Sequence, residues 1–111
     1  MPRSKKQKQP AKPAAKTTDV AAVLKERGSR YGKFTDHARV TVELKRVLMN
    51  ELTRRGMASQ SQFADDLYEA MHMICHKLGR IVCGDPNYAD SWIDIAGYAK
   101  LVSDRLEGEA R

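Results

Sequence analysis

Aromatic residues are scarce in this chain, with one Trp, two Phe and four Tyr among 111 residues, so any hydrophobic core must be thin and rely on aliphatic side chains and methionine. Cysteine is almost absent. Cys75 and Cys83 are the only two, without CxxC spacing, which excludes a disulfide framework and leaves too little Cys/His clustering for structural zinc; reduced cytosolic thiols fit better. No stretch approaches the roughly 18 apolar residues of a membrane span, and the N-terminus lacks the apolar segment of a secretory signal. Neither an alternating strand pattern nor an internal repeat is present. Without a glycine-rich phosphate loop, a Ser/His/Asp order or a setting for a Cys nucleophile, P-loop chemistry and nucleophilic catalysis are disfavoured. The length allows one domain with a modest core, and the expectation is a soluble cytoplasmic protein.

Acidic residues are missing from residues 1–18, and that absence locates the charge. The formal net charge is +6. Arg3, Lys5, Lys6, Lys8, Lys12 and Lys16 supply all of it, because the remaining 14 basic residues are matched by 14 Asp and Glu. This tail also carries Pro2, Pro10 and Pro13 and almost no large apolar side chain, so it cannot bury enough surface to offset its ordering entropy. Residues 1–18 therefore read as a disordered basic tail, suited to weak non-specific contact with nucleic-acid phosphates, to serving as a Lys-rich address, or simply to solubility. Residues 19–111 read as one helical domain.

Four helices are expected there. Thr18 or Asp19 caps a short first helix through Val20, Val23 and Leu24 that stops at Gly28. Tyr31-Gly32 breaks the pattern, and Thr35 or Asp36 caps a second helix with Val40, Leu44, Val47, Leu48 and Leu52 on one face and Gly56 at its end. A third, from about Gln60 to Val82 behind Ser59 or Ser61, places Phe63, Leu67, Ala70, Met71, Ile74, Leu78 and Ile81 on one face and Asp65, Glu69, His72, His76 and Arg80 on the other. The Gly84-Asp85-Pro86-Asn87 turn leads to a fourth, from Asp90 to about Leu106, with Trp92, Ile95, Ala96, Ala99, Val102 and Leu106 inward. The fold class is all-α, a small helical bundle of about four helices with mostly short connections. So thin a core favours extra burial by homo-oligomerisation, and a helix-mediated homodimer is the expectation.

The chemistry concentrates between Glu69 and Asp94. Lys77 and Arg80 are three residues apart, close enough to grip one anionic group as point charge and planar fork, or to be ordinary surface charge. His72 and His76 are spaced to share a metal ion below Glu69, or to lie on a solvated polar face. Asp90 and Asp94, one turn apart, repel each other unless a cation intervenes; they favour Mg²⁺, or a salt bridge across the hairpin to Arg80. Tyr98 lies close by, either as a ligand contact or as a core ring with its hydroxyl outward.

Two segments, ERGSRYGKFTDHA (Glu26–Ala38) and HKLGRIVCGDPNYADSWIDIAGYAKLVSDRLE (His76–Glu107), closely resemble a family of small phage and prophage proteins of uncharacterised function, over roughly residues 20–107. More distantly, Tyr31-Gly32, Lys77-x-x-Arg80-Ile81 and Asp94-x-x-Gly97-Tyr98-Ala99 resemble the MazG-like and phage nucleotide-modification-associated all-α proteins. That resemblance implies an oligomeric helical bundle in which carboxylates and Mg²⁺ hold a nucleoside triphosphate. The E-x-x-E and E-x-x-D motifs of that group appear here as Asp66-x-x-Glu69 and Ser91-x-x-Asp94; Ser91 removes one metal carboxylate, and Asp90 lies one position earlier.

The expectation is a phage-derived protein of the bacterial cytoplasm that binds a nucleotide or other phosphorylated small molecule. Lys77, Arg80, His76 and Tyr98 would contact the ligand, and Glu69, Asp90 and Asp94 would stand near Mg²⁺. Two outcomes follow: hydrolysis to a monophosphate and pyrophosphate, with a carboxylate or His76 activating water, or binding without turnover. The alternative from another class is a non-enzymatic phage interaction protein, a modulator of host defence or counter-defence that binds a protein or nucleic acid.

Overall fold

A computed structural model describes residues 19–109. It contains α1 (Val20–Tyr31), α2 (Phe34–Arg54), α3 (Asp65–Cys83) and α4 (Ala89–Leu106), with no strand among the described residues. The all-α bundle is the architecture expected. Residues 1–18, on which the reading of a basic tail rests, lie outside the described residues. No helix among the described residues is long and apolar enough to cross a membrane.

The helix ends show where local signals decide and where they are overruled. Asp19 caps α1 by accepting a hydrogen bond from the Ala22 N–H at 3.1 Å. The helix then runs through Gly28, the expected stop, and ends instead at Gly32, which has φ +81° and donates its N–H to the Gly28 carbonyl at 2.9 Å. The difference is conformational: a glycine tolerates a helix interior at a cost of about 1 kcal/mol, whereas the left-handed turn needs a residue without Cβ. Thr35 and Asp36 fall inside the first turn of α2 rather than before it, and Lys33 is the capping position, with no side-chain cap bond. Asp36 still complements the helix dipole there. Beyond α2, Gly56 adopts φ +68° as a stop. Helix α3 starts at Asp65, later than expected, because Ser59 and Gln60 stabilise a turn instead: Ser59 donates to Gln62 Oε1 at 2.9 Å and Gln60 to Asp65 Oδ2 at 2.6 Å. Short polar side chains compete with helix in this way.

Helix α3 is the middle of the molecule. Both α2 and α4 pack along it, making no comparable contact with each other, and α1 lies across the end formed by α2 and α3. Because α3 is flanked on two sides, part of its polar stripe is covered: His72, His76 and Arg80 are half-buried, while Asp65 and Glu69 are exposed. The buried apolar residues are few and small, namely Ala70, Cys75 and Ile81, while Phe63, Leu67, Met71, Ile74 and Leu78 are only half-buried. Both cysteines are free thiols. Four inward assignments on α4 are corrected: Trp92 is 51% exposed and Leu106 62% exposed, and Ala96 and Ala99 are exposed too. Trp92 lies over the preceding turn, donating its indole N–H to the Pro86 carbonyl at 2.8 Å, and the residue that α4 buries near its start is Ser91.

Candidate functional site: a cationic pocket at the α1–α2 junction

Three glycines bring the site together. At Gly79 the α2 and α3 backbones come so close that a Cβ would stand 2.4 Å from Thr41 Oγ1 and 3.0 Å from the His37 carbonyl oxygen. The absence of a side chain there lets His37 and Thr41 of α2 lie against His76 and Arg80 of α3. At the same end, the 31–33 turn interlocks with the turn after α3: a Cβ on Gly32 would stand 2.1 Å from the Cys83 carbonyl oxygen, one on Gly84 2.2 Å from that of Arg30, and the Asp85 N–H donates to the Arg30 carbonyl at 2.7 Å. The two segments quoted above, distant in sequence, are thus one structural unit. Rings and guanidinium groups alternate across it. Arg30 lies 4.3 Å over the Tyr88 ring and Arg80 4.1 Å over that of Tyr31, with the two tyrosines edge to face.

The resulting pocket has a volume of about 440 Å³ and is walled by Arg27, Tyr31, Lys33, Phe34, His37 and Arg80. None of its three cations forms an ion pair among the described residues. Phe34 is 73% exposed on the wall and meets His37 edge to face at 5.5 Å. His37 and Thr41 are each only 5% exposed, yet His37 Nδ1 and Thr41 Oγ1 have no hydrogen-bond partner, and neither does the buried Arg80 Nε. Buried polar atoms are nearly always paired in proteins, so unpaired ones on two residues that line the pocket, His37 and Arg80, call for an explanation.

Electrostatics around the histidines favour their neutral forms. Burial, reinforced by Arg80, Lys77, His37 and Lys45, pushes His76 down to about 4. Burial and Arg80 lower His37, with Asp36 opposing, and burial and Lys45 lower His72, with Glu69 opposing. His37 and His76 meet edge to face at 6.3 Å. A neutral imidazole in such cationic surroundings accepts or donates a hydrogen bond without adding charge.

The residues singled out from sequence are distributed more widely. Arg80 joins the pocket, and His76 sits behind it against His37. Lys77 turns to α4, where its Nζ pairs with Asp94 Oδ2 at 2.8 Å. It is therefore Lys77, not Arg80, that bridges the hairpin, and Lys77 and Arg80 do not close on one anion. Asp94 and Tyr98 border a wide hollow on the outer face of α4, with Ile93, Gly97 and Leu101. Asp90 accepts the Tyr88 hydroxyl at 2.9 Å, and Glu69 is exposed on α3. Asp66 is held by Arg105 of α4. Among the described residues no three His, Cys, Asp or Glu side chains gather where one cation would be shared, so within one chain Glu69, Asp90 and Asp94 stand apart. Arg27, Lys33, Phe34 and His37 were not selected from sequence, where this stretch reads as a turn. Its visible signals were the Tyr31-Gly32 break between two helices and its place within the Glu26–Ala38 segment that carries the family resemblance.

Residues 17–106 match the family described as a domain of unknown function, DUF6378. The chain belongs to that family. No curated protein matches it, and no solved structure does.

Proposed function

We propose that this protein binds a phosphorylated small molecule, most simply a nucleotide, in the pocket between α1, α2 and the end of α3. The observation that carries this reading is the convergence of Arg27, Lys33 and Arg80, unpaired with any described carboxylate, on one concave site. Clustered cations repel, and an anion relieves the repulsion while supplying charge-assisted hydrogen bonds. A phosphate suits the planar fork of Arg80 and the point charge of Lys33. Phe34 offers a face on which a base can stack, worth about 1–3 kcal/mol in comparable settings. The MazG-like resemblance points in the same direction.

Mg²⁺-dependent hydrolysis is a further step of the same proposal. Glu69, Asp90 and Asp94 would serve it only with carboxylates from a second chain or with Mg²⁺ carried in by a triphosphate.

Thermal unfolding and calorimetry with inorganic phosphate, AMP and ATP, each with and without Mg²⁺, test the reading, with release of pyrophosphate followed in parallel. A ligand present at a hundredfold excess over its dissociation constant should stabilise the fold by about 2.7 kcal/mol. Arg27→Ala and Lys33→Ala, both at exposed positions, should weaken binding and leave the apo-protein folded. No stabilisation by any of the three ligands, or binding indifferent to both substitutions, would overturn the proposal.

A further inference from the structure

A second hollow, sharing no residue with the first, poses a different problem. Because α2 and α4 both pack on α3 and make no comparable contact with each other, they leave a trough about 430 Å³ in volume along it. Its floor is Phe63, Leu67, Ile74 and Leu78, and its rims are Leu48 on α2 and Leu106 on α4. No charged residue lines it. The α3 positions Leu67, Met71, Ile74 and Leu78 follow intervals of four, three and four, the spacing by which two helices interlock at a shallow angle. That stripe is about 17 Å long at 1.5 Å per residue. In a four-helix bundle a helix would cover it; here α1 lies at another place, against the far end of α2 and α3.

We infer that a second copy of this chain fills the trough, α3 against α3 about a two-fold axis. Three observations select that occupant. First, the unit on its own lacks a core: three small apolar residues are buried, no large side chain is fully buried among the described residues, and fourteen large apolar ones are exposed. An occupant needed for stability must be present whenever the chain is, which a second copy satisfies and an occasional partner does not. Second, residues 2–18 contain no large apolar side chain, so the chain's own N-terminal segment has nothing to place in an apolar trough. Third, no charged residue lines the trough itself, so two copies meet there without like charges facing each other at the contact. A self-complementary stripe at a two-fold axis closes the assembly at two. The inference stands apart from the phosphate pocket, which lies at the α1 end.

Sedimentation equilibrium on the full chain provides the test. The expected result is a dimer with a dissociation constant of about 1 µM or tighter. Leu48→Asp and Leu106→Asp, on rims where the native residues are 38% and 62% exposed, should each weaken it at least about tenfold, with the helical circular dichroism retained at chain concentrations where the variant dimer still forms. A wild-type monomer at about 100 µM would overturn the inference. If that monomer's Leu106 resonances moved on adding an amphipathic helical peptide, the trough would belong to another protein. A dimer indifferent to both rim substitutions but lost on Ile93→Asp would place the interface on the outer face of α4 and overturn it equally.

Discussion

Acidification from pH 6.5 to pH 4 should destabilise this protein through its histidines, before most carboxylates titrate. His76 is the clearest contributor, since burial and the surrounding Arg80, Lys77, His37 and Lys45 lower it to about 4 from an ordinary value of 6.5. The direction follows from proton binding. Between those two values the unfolded chain binds a proton at this position and the folded chain does not, so acid favours unfolding. Stability is complete above about pH 6.5, declines by up to about 1.4 kcal/mol per pH unit below it, and stops declining through this group near pH 4. Over the whole window His76 accounts for about 3 kcal/mol, a large share of the total for a small domain. His37 and His72, also lowered, act with the same sign. Urea unfolding of the wild type and of His76→Gln at pH 7.5, 6.5, 5.5 and 4.5, at one fixed protein concentration, measures the effect. The variant should show a shallower decline by nearly one proton. Parallel pH profiles for the two proteins would refute the argument, because they would mean that the His76 imidazole is as free to charge in the folded protein as in the unfolded chain.

Two glycines in helices should respond oppositely to the same substitution. Gly79→Ala places a methyl group 2.4 Å from Thr41 Oγ1, on a β-branched side chain with little freedom, and 3.0 Å from a backbone carbonyl; it should cost about 1–3 kcal/mol and disturb the pocket. Gly28→Ala meets nothing within 4 Å and should stabilise α1 by about 0.5–1 kcal/mol, both effects being read from denaturant midpoints. Trp92→Ala should cost only about 1–2 kcal/mol, below the 3–5 kcal/mol typical of a buried Trp, since half the ring is exposed and one hydrogen bond is lost. A loss in the range of a buried Trp would show that its ring is covered in solution.

What the sequence made legible was periodicity, and what it concealed was which faces are covered. The 3.6-residue repeats located all four helices, and the Gly-Asp-Pro turn separated α3 from α4 where expected. The same repeats misled at Trp92 and Leu106, because an apolar position reads as inward whether or not a neighbouring helix is there to receive it. They also labelled His72, His76 and Arg80 as an outer face, although a helix flanked on two sides has little outer face left. The case of Lys77 and Arg80 shows the limit most sharply. Three residues apart, they differ by only about 60° around the helix, close enough to suggest one shared anion. On α3 that difference is enough to separate them: Lys77 reaches Asp94 on α4, and Arg80 stacks on Tyr31 at the end of α1. Long side chains choose between such directions according to partners on other helices, and sequence spacing carries no information about those partners. The glycine between them did carry a signal. A glycine deep inside a helical pattern lowers helix stability, so its presence at position 79 suggests close packing, and it is at Gly79 that α2 approaches and brings His37 to the cations.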